Sequence, residues 1–231
     1  CSASWAVDEV LSTTKAKNVT VQWCFITEAL HDAGHHKGNH GFGGLIQCEG
    51  ATYHHNLFAH NRSRNPRPAS GLIDFRNNVI YDWGHGAGYG DLRTLNYVNN
   101  YLRPGPSTTQ RPPAFIADPK VILPSSIYVD GNVMVGKPDV GRDNWKGVLA
   151  PQGVLAPRSL QSSTPFPAPP VQTQSAAEAF ELVLRNAGAT RPERDSVDAR
   201  IVSNVRNGTG KIINDETDVG GSSRSASGGS T

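Results

Sequence analysis

Four stretches of the chain share one pattern of apolar and polar positions. ATYHHNLF, IDFRNNVI, LNYVNNYL and IYVDGNVM, ending at Phe58, Ile80, Leu102 and Met134, each lead from strand-like residues into an Asn and then a pair of apolar or aromatic residues. Asn56, Asn78 and Asn100 are spaced by 22 residues, and Asn132 follows after 32. The earlier VTVQWCFI, ending at Ile26, fits the same frame with Cys24 in the Asn slot, and Cys1 precedes it by 23. One short strand pattern per unit of about 20–30 residues is the signature of a solenoid, and here of a parallel β-helix. Each strand alone is too short to hold, but coils stacked at about 4.8 Å pair every backbone N–H and C=O with the coil above or below. The Asn residues are then expected to point inward and hydrogen-bond along the stack, which satisfies an amide that is costly to bury unpaired.

The pattern fades after Met134. Residues 151–174, PQGVLAPRSLQSSTPFPAPPVQTQ, are rich in Pro, Ser and Gln and read as an extended segment along the surface. SAAEAFELVLRNAG carries helix punctuation, with Ser175 as N-cap, Glu178 three residues later and Gly188 as stop. Ala176, Phe180, Val183 and Leu184 form its apolar face. A second short helix is expected from Ser196 to Val205, and GSSRSASGGST is too polar to order. The predicted organisation is all-β: solenoid coils with the candidate site over 1–150, a segment-and-helix cover packing on them over 151–220, and a disordered tail over 221–231.

Composition narrows the function classes. Lys and Arg number 22 against 20 Asp and Glu, so there is no global field of the kind that marks a nucleic-acid binder, and any attraction for an anion is local. No apolar run approaches the ~18 residues of a membrane span. The first residue, Cys1, is read as the start of a processed or N-terminally incomplete chain. Cys1, Cys24 and Cys48 match no zinc spacing. Cys1 and Cys24 sit one coil apart, as a disulfide or as inert thiols, and Cys48 reads as a small buried hydrophobe. Asn18, Asn61 and Asn207 each head a glycosylation sequon.

Cations concentrate in RSRNPRP, where Arg62, Arg64 and Arg67 alternate with Pro66 and Pro68. HDAGHHKGNH offers His31, His35, His36 and His40 at spacings open to a transition metal, though without a helix to align them they read first as polar turn residues beside a groove. Trp83 and Tyr89, within YDWGHGAGYG, either pack a loop or stack against a sugar.

These residues resemble a known family. SWAVDEV around Asp8, HHKGNHGFGG around Lys37 and YHHNLFAHNRSRNPR ending at Arg67 are similar to the pectate lyases of polysaccharide lyase family 1, right-handed parallel β-helices that cleave polygalacturonate by β-elimination. The tail from AAEAFELVLRNAG to NGTGKI resembles the C-terminal part of some members. The resemblance implies Arg64 as catalytic base, Lys37 as a ligand of the substrate carboxylate and Asp8 as a calcium ligand. Ser4 stands where one branch has a second acid, and Ala69 where that branch has a second arginine, a role left to Arg67. The family's further calcium ligands would precede Cys1.

The implied chemistry is removal of the C5 proton of a galacturonate and loss of the C4 substituent. Ca2+ and fixed cations would hold the charge that builds on the carboxylate, with Arg67 as a carboxylate fork. The implied partner is an acidic polysaccharide, pectate or its methylated form, met outside the cell by a monomer. A catalytically weak β-helix that binds acidic polysaccharide, or serves an adhesive or structural role, fits the same fold.

Overall fold

Fourteen strands wind through the described residues. They are β1 (Ser2–Ser4), β2 (Glu9–Gln22), β3 (Phe25–Thr27), β4 (Phe42–His54), β5 (Leu57–Ala59), β6 (Arg67–Ser70), β7 (Leu72–Arg76) and β8 (Val79–Tyr81). β9 (Asp91–Val98), β10 (Tyr101–Arg103), β11 (Ile116–Ala117), β12 (Lys120–Asp130), β13 (Val133–Met134) and β14 (Val148–Leu149) complete them. Strands that lie far apart in sequence pair in parallel: one sheet runs β1-β3-β5-β8-β10-β13 and another β12-β9-β7-β4-β2. β6 pairs the first half of β4 and β7 its second half, with Gly71 at φ +70° between them. This is the parallel β-helix that the repeat predicts. The computed structural model describes residues 1–110, 112, 114–117, 120–150 and 153–221, so the expectation of a disordered tail falls almost wholly outside the described residues.

The Asn ladder forms as expected. Nδ2 of Asn56, Asn78 and Asn100 donates to Oδ1 of Asn78, Asn100 and Asn132 at 3.0, 3.2 and 2.9 Å. The same oxygens accept the backbone N–H of the preceding rung, and Asn56 Oδ1 likewise accepts Cys24 N–H at 3.0 Å. Asn144 adds a further rung that the repeat does not announce, at 2.9 Å from Asn132 Nδ2. The residue before each rung from Cys24 to Asn132 (Trp23, His55, Asn77, Asn99 and Gly131) takes a left-handed backbone, φ +51° to +66°. All three cysteines are free thiols.

The apolar pair after each Asn divides between two cores. Phe58, Ile80 and Leu102 stack in register and point inward, while Leu57 and Val79 face outward onto two helices. Those helices are α2 (Ala176–Asn186) and α3 (Ser196–Asn207), after a single short α1 (Pro138–Arg142). Ser175 and Glu178 form the expected capping box on α2. Val183, Leu184, Ile201 and Val205 cover the outer face of the sheet, each burial stabilising by about 1.5–3 kcal/mol. The segment before α2 runs along the other sheet, where Asn96 and Asn77 side chains each trade two hydrogen bonds with the backbone of Phe166 and Gln174.

Candidate active site

Register brings the chemistry-bearing residues together. Glu9, which opens β2, pairs with Phe42, which opens β4, and Phe42 bridges to Ser63 of the RSRNPRP segment. The segment then lies directly on β4: Gly43 and Gly44 N–H donate to Ser63 O and Arg64 O at 2.9 and 2.6 Å. A Cβ on Gly43 would stand 2.5 Å from Asn65 Oδ1 and 2.8 Å from Arg64 O, so glycine is what permits this approach.

Arg64 occupies the left-handed region at φ +60°, a strained backbone of the kind found at functional sites. Its Nη1 is in direct contact with Glu9 Oε1 and 4.0 Å from Asp8 Oδ1. Its Nε donates to Tyr89 Oη at 3.0 Å, and its Cζ sits 3.8 Å from the centre of the Phe42 ring. Arg67 lies over the same Tyr89 ring at 5.3 Å. Tyr89 therefore orders both arginines instead of only filling a loop. Arg62 donates from Nη1 to Asn39 O at 3.1 Å and ties the histidine loop to the site.

That loop spans 31–40 and brings His35 and His40 to face Asp8, each Nε2 at 3.8 Å from a carboxylate oxygen. Burial of the ring, then the neighbouring His40 and His36, hold His35 below the ordinary imidazole range, with Asp8 opposing. Lys37 sits exposed at the loop tip, where its N–H donates to His35 Nδ1 at 3.2 Å. Its ammonium forms no ion pair among the described residues. Asp8, Arg64 and Arg67 are thus gathered with Glu9, Phe42 and Tyr89, whereas Lys37 stands at the rim.

The donors around Asp8 are a poor match to calcium. Calcium takes six to eight oxygens, but Asp8 faces two imidazole nitrogens and a guanidinium, and the adjacent carboxylate, Glu9, is engaged by Arg64. Ser4, in the place of a second acid, instead hydrogen-bonds Thr27 Oγ1 at 3.0 Å. The sequon at Asn61 is also set aside: its side chain is fully buried and bonded to Ala29 N, Ile26 O and Asn65 Oδ1, so a glycan has no access.

Glu9 escaped sequence reading because nothing local marks it. Only extending the coil repeat across the loop, so that Glu9, Phe42 and Ser63 fall in one column, places it beside Arg64.

No family model matches the chain. Among known proteins it is 35% identical to a Neosartorya fischeri protein named probable pectate lyase C, over 229 residues and 95% of its length. It is 34% and 36% identical to proteins of the same name from Aspergillus fumigatus and Aspergillus terreus, again over 95% of its length. The chain spans about half, 51%, of the length of these relatives. Among solved structures it is similar to a pectate lyase from a Bacillus species in complex with trigalacturonate, at 21% identity and a TM-score of 0.46 over 80% of this chain and 59% of that one.

Proposed function

We propose, from the premise that this chain is a homologue of the fungal proteins named probable pectate lyase C, that it cleaves a (1→4)-linked galacturonan by β-elimination. The observation that carries the reading is the fixed arginine pair: Arg64 held by Glu9, Tyr89 and Phe42, with Arg67 beside it on the same tyrosine. A polymer of carboxylates needs such fixed cations, and a base must reach the C5 proton.

The roles follow from the donors available. Arg67 holds the carboxylate of the sugar that reacts, and Lys37 at the loop tip takes a carboxylate farther along the chain. Arg64 removes the proton from C5. A guanidinium has five donors and no acceptor, so Arg64 accepts that proton only by passing one of its own to Glu9, whose Oε1 already touches Nη1. The C5–H electrons become the C4–C5 double bond, the C4–O4 bond breaks, and O4 takes a proton from solvent. Charge on the carboxylate in the transition state meets Arg67 in a preorganised position. Calcium enters this reading as a trait of the pectate lyases and not of the donors at Asp8, so no step runs through it. The substrate places the protein outside the cell, and no helix among the described residues is long and apolar enough to cross a membrane.

A second reading also has an observation behind it. The contact between Arg64 and Glu9 keeps the guanidinium in an ion pair instead of turned to a C5 proton, which favours a weak or inactive binder of acidic polysaccharide in which Arg67 and Lys37 hold carboxylates without turnover. Mass spectrometry of the oligosaccharides released from polygalacturonate separates the two. An elimination product is lighter by one water than the product of hydrolysis, and its absence with folded protein leaves only binding.

A further inference from the structure

The loop over Asp8 carries a second kind of chemistry. Asp8 Oδ2 and His35 Nε2, and Asp8 Oδ1 and His40 Nε2, are both 3.8 Å apart, and one ligand atom from each residue lies within 4.8 Å of the others. These separations are too long for hydrogen bonds. They are a few tenths of an ångström wider than the roughly 3.4 Å edge of a tetrahedron around zinc with bonds of about 2.0–2.2 Å.

Three features aim these atoms at a shared cation. His40 Nδ1 donates to Gly38 O at 2.8 Å, which leaves the lone pair on Nε2, the nitrogen facing Asp8. Asp8 Oδ1 is buried and has no hydrogen-bond partner, although the carboxyl side chain as a whole is 43% exposed. The loop is closed at its base by His40 N–H to His31 O at 2.9 Å and by His31 Nδ1 to His40 O at 3.0 Å, and the His35 and His40 rings lie against each other with centroids 3.8 Å apart, so they are held together without an ion. Arg64, 4.0 Å from Asp8, opposes a cation, but its charge is already met by Glu9.

We propose that Asp8, His35 and His40 bind a divalent transition ion of the zinc class, with water in the open positions. Two imidazoles and one carboxylate suit zinc, nickel or copper, where calcium would take oxygens alone. Binding through His35 Nε2 moves that ring's proton to Nδ1, which now accepts from Lys37 N–H at 3.2 Å. This contact breaks when the ion arrives, so occupancy resets the backbone at Lys37, the residue assigned to a substrate carboxylate.

Calorimetric titration of the metal-stripped protein with zinc chloride tests the site without reading catalysis. It therefore succeeds or fails separately from the lyase reading. One ion per chain is expected, weakened about 100-fold or more in His35→Ala and in His40→Ala, since even residues that only orient a ligand are worth about 10–100-fold. His36→Ala, whose ring is exposed next door, keeps the wild-type affinity. Copper bound to the unmutated protein should show nitrogen hyperfine splitting from two imidazoles, a check that needs no variant to fold. No binding by the wild type, affinity that survives loss of both rings, or a copper spectrum without two nitrogens overturns the proposal.

Discussion

A non-glycine residue in the left-handed region costs about 1–2 kcal/mol, and Arg64 sits there with its guanidinium fixed by Glu9, Tyr89 and Phe42. A lysine lacks the planar fork that reaches Tyr89 from Nε and Glu9 from Nη1, two separate nitrogens at fixed spacing. Arg64→Lys is expected to slow elimination by about 100-fold or more while leaving the melting temperature within a few degrees. Glu9→Gln keeps an oxygen near Nη1 but cannot take up its proton, and a loss of about 10–100-fold in kcat with little change in KM is expected; steady-state kinetics on polygalacturonate check both. Elsewhere, Tyr97 Oη is buried without a partner, and burial pushes the phenol well above its usual range. Tyr97→Phe should therefore be neutral or stabilise by up to about 1 kcal/mol in urea unfolding. Arg64, Arg67 and Asp8 could be singled out in the sequence because a short motif surrounds each. Glu9 and the partnership of Tyr89 could not, because both arise from stacking between coils.

The ladder is the element that sequence conveyed best, since one Asn per coil is both the periodic signal and the physical device. What the period could not show is the left-handed residue before each rung, or Asn144, which breaks the spacing and joins the ladder from a short 3-10 turn. Asn100→Ala removes the acceptor of the Asn78 backbone N–H, one of the acceptors of Asn78 Nδ2 and the side-chain donor to the Phe75 carbonyl, and about 2–4 kcal/mol of destabilisation is expected in urea unfolding. The extended segment has its own acid-sensitive clasp. His55 Nε2 donates to Gln174 Oε1 at 2.7 Å, so its Nδ1 accepts from His54 Nδ1 at 2.8 Å. Burial, then the facing His55, push His54 down from 6.5 to about 4. The folded state thus binds fewer protons than the unfolded state in that window. The contribution is complete above pH 6.5 and is lost as pH falls toward 4, by about 2–3 kcal/mol. Melting temperature measured across this range should fall on acidification, and His54→Gln should flatten the slope.

At the scale of the whole molecule, the helices are bound to the solenoid by more than apolar contact. Arg200 grips Glu28 with both nitrogens, at 2.5 and 2.9 Å, and Trp5 Nε1 donates to the same carboxylate at 2.9 Å. Glu28 is fully buried, so Glu28→Ala, which strands the arginine, is expected to cost about 3 kcal/mol. The solenoid with a lateral helical cover was legible from repeat and capping signals, yet the way the cover grips the coils was not, because Glu28 and Arg200 lie 172 residues apart. A near-neutral chain, +2 by formal charge, still gathers Arg64 and Arg67 with Asp8 and Glu9 at one centre where three coils converge. Elimination at that centre would create a 4,5-unsaturated uronide, which absorbs in the ultraviolet where the substrate does not. The most direct test is the rate of ultraviolet absorbance rise on polygalacturonate, wild type against Arg64→Lys. A steady rise with wild type, slower by about 100-fold or more in the variant, is the expected result; no rise with the folded wild type, or equal rates for the two, would contradict it.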